Sequence, residues 1–255
     1  MSNAGAALGW GLVVGGSLFA GALAAAVLRL PARAAATLTA FGGGVLFAAV
    51  ALELVPDADA GAGAPLTAAG LLAGTLVYVA ADRWLTRDQD TMMMRRSTQA
   101  AAAGRDMRTP VDLSEASRGE AIAAGLFVDG VPESIALGLT VAEGELGVAL
   151  LAGVLVGNVV EAYGAAQPII AAGRTRRFAI GLLSTIGLAL AIAVLLGGTA
   201  FAGASPELIG VAQAIAAGAV LAVVSIAIIP HAFAEVSRLV ATATVLGFIG
   251  GYLLS

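Results

Sequence analysis

No cysteine occurs in the 255 residues, which removes disulfides and thiolate metal sites together. A single histidine leaves no room for an imidazole-rich metal site. Lysine is missing too, so all 13 basic residues are arginines. Charged residues make up only 12% of the chain, about half the share found in soluble domains. The net charge of −4, with no basic patch, excludes a nucleic-acid partner. The alternation of a membrane β-barrel is also absent. The first apolar run lacks a basic leading segment, so it reads as a retained helix and not as a cleaved signal.

What is abundant is apolar surface: 59% of residues are hydrophobic and the mean hydropathy is +0.95. Such a chain needs lipid as its solvent, and the lipid bilayer is its first partner. Apolar runs of about spanning length lie at residues 6–28, 35–55, 65–82, 118–141, 145–172, 178–202, 206–230 and 236–254. They predict an all-α polytopic membrane protein, one domain over residues 1–255 with eight transmembrane helices. The polar segment at about 83–117 reads as a mobile cytoplasmic loop. With eight spans, every arginine falls on connections one, three, five or seven. Connections two, four and six carry only acids: Asp57 and Asp59, Glu143 and Glu145, and Glu207. The positive-inside rule then puts the odd connections in the cytoplasm and both termini outside.

Against this background, carboxylates inside apolar runs stand out, because ionisable groups in hydrocarbon are costly and mark sites or pathways. The fourth run holds Asp129-Gly130-Val131-Pro132-Glu133-Ser134, and the fifth Gly157-Asn158-Val159-Val160-Glu161-Ala162. At 1.5 Å per residue, Asp129 lies about 14 Å and Glu133 about 20 Å from Glu120, while Glu161 lies about 20 Å from Arg174. The two motifs therefore sit at similar depth on consecutive helices. Asp129 and Glu133 share a helix face, as do Asn158 and Glu161. Pro132 leaves the carbonyl of Val128 without its helical donor. Three close carboxylates cannot all ionise unless a cation joins them, so Asp129, Glu133, Asn158 and Glu161 form the expected main metal site. Oxygen ligands suit hard or borderline divalent ions and not copper(I). Glu53 and Asp57, with Asp59 beside them, give an acidic outer entrance. His231 and Glu235 mark a cytoplasmic exit. Gly11 and Gly15, or Gly247 and Gly251, have small-residue spacing that means little in a chain with 34 glycines. Gly153 and Gly157 suggest a close approach on the fifth helix.

These motifs resemble those of the ZIP (Zrt/Irt-like protein) family of divalent metal transporters. The family pattern in the fourth helix is His-Asn-x-Pro-Glu-Gly, matched here by Asp129-Gly130-Val131-Pro132-Glu133-Ser134. The fifth-helix pattern x-x-x-Pro-Glu-Gly is matched by Gly157-Asn158-Val159-Val160-Glu161-Ala162, and the second-helix His-x-x-Pro-Glu-Ala by Glu53-Leu54-Val55-Pro56-Asp57-Ala58. The resemblance implies a metal site between the fourth and fifth helices. Asp129 would replace a histidine, Glu133 and Glu161 would keep their ligand roles, and Asn158 would replace a polar ligand. Gly130 and Gly157 supply no donor, so two family ligands are missing, and the sixth helix carries no acid. The resemblance further implies a homodimer, with zinc as the default substrate and iron, manganese or cadmium as further candidates.

The expected function is import of a divalent transition metal across the cell membrane, with no resident cofactor and no enzymatic reaction. Two other classes were weighed. An intramembrane hydrolase could use the carboxylates for acid–base work, but no serine-nucleophile or His-Glu-x-x-His signature accompanies them. A transport-inactive ZIP-like sensor or partner subunit would bind metal without flux.

Overall fold

The computed structural model describes residues 3–85, 115–144, 147–171 and 173–255. Among these residues the secondary structure is entirely helical. The elements are α1 (Asn3–Val27), α2 (Ala32–Ala49), α3 (Val55–Ala62), α4 (Ala64–Leu85), α5 (Glu115–Glu143), α6 (Val148–Ala171), α7 (Arg176–Ala200), α8 (Pro206–Val223), α9 (Ile229–Val236) and α10 (Leu239–Leu254). Helix occupies both edges of the connection expected at about 83–117. The remainder, including Arg87 to Arg108, lies outside the described residues, as does Glu145.

The second and seventh apolar runs, expected to end at 55 and 230, continue as helix past Pro56 and Pro230. Pro56 and Pro230 lack the N–H that would close the preceding turn. The chain absorbs each loss in a five-residue π-helical bulge, Val50–Leu54 and Val224–Ile228. The N–H of Val55 reaches back to the Val50 carbonyl, and that of Ile229 to the Val224 carbonyl. Helix then continues, so the second and seventh runs become long rods, Arg33–Ala62 and Pro206–Val236. Both extend six or more residues past the expected ends at 55 and 230. The chain is thus a multi-pass membrane protein, and among the described residues seven rods are long and apolar enough to cross a bilayer, with α10 a shorter apolar helix. With 16 residues, α10 is about 24 Å long, short of a hydrocarbon core of about 30 Å.

The rods pair in a pattern that maps onto itself. The first (α1) packs along the sixth (α7), the second (α2–α3) on the eighth (α10), and the third (α4) on the seventh (α8–α9). The fourth (α5) packs on the sixth, and the fifth (α6) on the first. Exchanging rods one, two, three and four with six, seven, eight and five leaves this list unchanged. Gly11 faces Ala191 and Gly15 faces Gly187, so the first and sixth rods run in opposite directions and the repeat is inverted. The two bulges fall at equivalent places: Val55-Pro56-Asp57-Ala58 corresponds to Ile229-Pro230-His231-Ala232.

The contact between the first and sixth rods overturns the reading of Gly11 and Gly15 as incidental. A Cβ on Gly15 would stand 2.7 Å from the Gly187 carbonyl oxygen, and one on Gly187 2.6 Å from that of Gly15. Backbones this close leave no room for a methyl group. Gly247 likewise lies against the Phe41 carbonyl. Across the centre, Leu18, Leu46, Leu137, Leu150 and Leu183 form one buried core shared by rods one, two, four, five and six.

Candidate functional site

Both carboxylate motifs lie inside unbroken helices, Asp129 and Glu133 on α5 and Asn158 and Glu161 on α6. Pro132 sits within α5, one residue before Glu133. Glu133 is only 4% exposed, and Asn158 2%; Asp129 and Glu161 are half-buried. The charges that act on Glu133 are those of Glu161 and Asp129. The helix pair therefore brings the charges of Asp129 and Glu161 to bear on Glu133, which is itself buried. They do not close on a single point: among the described residues no three His, Asp or Glu side chains form a metal cage.

The nearby polar groups are incompletely matched. Asn158 Nδ2 is buried without a hydrogen-bond partner, and so is the hydroxyl of Ser134. Buried polar atoms are nearly always paired, so these two are exceptions; the Asn158 Nδ2 is a donor and would need an acceptor such as a water oxygen. The two glycines at ligand-type positions differ sharply. A Cβ on Gly157 would meet nothing within 4 Å, whereas one on Gly130 would stand 2.6 Å from Leu190 Cδ1. Open space thus lies on the α6 face that carries Glu161, while the equivalent space on α5 is filled by leucine. The expected close approach holds at Gly153, whose Cβ would stand 2.8 Å from Leu46 Cδ2, and at Gly157 a Cβ on Gly42 of α2 would stand 3.5 Å from the backbone nitrogen.

Sequence reasoning missed Tyr78. It is 2% exposed, and its hydroxyl donates to Asp129 Oδ1 at 2.6 Å. The available signal was a tyrosine inside an apolar run, because a buried phenol needs an acceptor. Gln213 was also missed; its side-chain N–H donates to Glu143 Oε2 near the start of α8.

Glu53 is half-buried and has backbone partners. It lies in the first bulge, and its carboxylate accepts the backbone N–H groups of Ala149 and Leu150, each at 3.2 Å. These are among the first N–H groups of α6, which have no intrahelical acceptor. The carboxylate also opposes the positive end of that helix. Glu53 is therefore a cap in trans on the helix that carries Glu161, with Asp57 as its neighbouring charge.

His231 and Glu235 stand one turn apart on α9, both half-buried. That helix packs against α2 and α10, through Ala40, Ala232, Val240 and Ala243, and not alongside Asp129 and Glu133. The structure thus relates Asp129 and Glu161 to Glu133 and leaves Asn158 as a buried neighbour on α6, while His231 and Glu235 lie on a helix that packs elsewhere. Within the inverted repeat, however, Asp57 and His231 are equivalent positions. Neither a scan against protein-family models nor a search of the curated proteins finds a match for this chain.

Proposed function

We propose that the protein is a ZIP-like transporter that carries a divalent transition-metal ion across the cell membrane into the cytoplasm. The observation that carries this reading is Glu133, buried at the interface of two apolar helices with the charges of Asp129 and Glu161 acting on it. A low-dielectric interior penalises an unpaired carboxylate by several kcal/mol and a cluster of them by more. A divalent cation removes that penalty and gains three anionic oxygens. The unpartnered Asn158 amide and the open space at Gly157 give the guest and its water somewhere to sit.

The membrane frame belongs to the same proposal: eight spans, both termini outside, and arginine-bearing connections in the cytoplasm. Inverted repeats with broken helices bind substrates at the repeat interface near the bilayer midplane. The two bulges supply such breaks, and the α5–α6 pair lies between the repeats. The ion would enter past Asp57 and leave past His231 and Glu235, which are related by that inversion. Zinc is the default substrate, since affinity for a given oxygen site favours it over manganese and iron(II). A homodimer is the proposed assembly. Uptake of divalent ions into proteoliposomes, with Glu133→Ala as control, tests the reading. Normal uptake by that variant rejects it, and metal binding without flux selects the sensor role instead.

A further inference from the structure

The third rod is the least buried of the long helices and packs mainly on the seventh, touching α5 only marginally. Its lipid-side residues, Leu72, Leu76 and Val77, are exposed. Its inner side ends in Tyr78, whose hydroxyl crosses to Asp129. Tyr163 shows what an ordinary buried tyrosine does here. Its hydroxyl accepts the Leu30 N–H and donates to the Leu28 carbonyl, stapling a connection to the fifth rod. Tyr78 differs in choosing an ionisable partner one turn from Glu133. Its 2.6 Å separation lies in the range of hydroxyl-to-carboxylate bonds, which are about twice as strong as neutral ones.

From this contact, and resting on the metal-transport reading above, we propose that Tyr78 is the positioning residue of the site. Its hydroxyl holds the Asp129 carboxylate in one orientation beside Glu133 before the ion arrives. A carboxylate already oriented by a hydrogen bond loses less conformational freedom when an ion binds, which favours affinity. In this proposal Tyr78 touches no ion and acts through Asp129. It also makes the third rod, otherwise a partner of the seventh, responsive to occupation of the site.

The test is a set of metal titrations on the purified full-length chain, with Zn²⁺ and Mn²⁺ as probes, alongside proteoliposome kinetics. Tyr78→Phe keeps the ring and removes only the hydroxyl. It should raise the Kd by about ten- to a hundredfold, the weight of a hydrogen bond to a charged group, and raise KM with kcat little changed. In an Asp129→Ala background the same substitution should do nothing further to metal affinity, because the proposed route runs through Asp129. Additive losses would make Tyr78 a merely structural residue and overturn the proposal, as would an unchanged Kd in a variant whose parent binds metal. Should the parent bind no metal more tightly than Glu133→Gln, the transport reading itself fails. Infrared difference spectra on the unaltered chain with ring-labelled tyrosine give a check that needs no variant. Metal addition should shift one tyrosine C–O band, and a metal-bound protein with no such shift also overturns the assignment.

Discussion

Gly157 and Gly130 offer a matched pair of perturbations. Both are helix-interior glycines at ligand-type positions, and replacing either by alanine relieves about 0.5–1 kcal/mol of backbone entropy. At Gly157 nothing opposes that gain, because the added Cβ meets no atom within 4 Å. Gly157→Ala should therefore be neutral to stabilising, by up to about 1 kcal/mol. At Gly130 the Cβ would stand 2.6 Å from Leu190 Cδ1 and 3.1 Å from Cδ2. Leu190 is itself buried, and overpacking of this kind costs about 1–3 kcal/mol, so Gly130→Ala should be net destabilising. The same geometry gives a functional prediction. Gly157→His places an imidazole one turn before Glu161, on the open side of the site, and should tighten zinc binding at least about tenfold, or ~1.4 kcal/mol. Manganese should gain less, since imidazole suits zinc. Thermal unfolding in detergent and metal titration of the three variants read these effects. A folded Gly157→His variant with unchanged zinc affinity would show that the open space does not belong to the site, and the ligand geometry argued here would be wrong.

Three other outcomes follow from particular contacts. Glu53→Ala removes the acceptor for the Ala149 and Leu150 N–H groups and should lower stability by about 0.5–2 kcal/mol, the range for a lost helix cap; an unchanged unfolding midpoint would contradict the capping role. Gly15→Ala drives a methyl group into the Gly187 carbonyl and should cost about 1–3 kcal/mol, whereas Gly16→Ala, whose Cβ meets nothing within 4 Å, should cost little. Because the chain has no cysteine, single cysteines report topology directly: Ala202→Cys should react with an impermeant thiol reagent from outside and Leu30→Cys only after permeabilisation, and the reverse pattern would invert the membrane frame.

Much of the architecture was legible because hydrocarbon imposes strong rules. Apolar runs located the long helices found among the described residues, and carboxylates at mid-run singled out Asp129, Glu133 and Glu161. The ends of the second and seventh runs were placed short for a physical reason. Pro56 and Pro230 each forfeit one hydrogen bond, but a π-helical bulge restores the pattern five residues back, and local sequence does not distinguish a bulge from a stop. Glu53 was read as a free entrance ligand because its partners, Ala149 and Leu150, lie almost a hundred residues away. The same limit hid Tyr78, since nothing local names Asp129 as its acceptor. The spacing of Gly153 and Gly157 treated them alike, while only the packing of Leu46 against one and empty space beside the other tells them apart.

The central claim is that the buried Glu133, with the charges of Asp129 and Glu161 acting on it, is made tolerable by a divalent cation. Its most direct test is zinc uptake into proteoliposomes by the parent chain and by Glu133→Gln, which keeps the side-chain shape and removes the charge. The account predicts saturable uptake by the parent and its loss in a variant that still folds and inserts. Equal uptake by both proteins would contradict it.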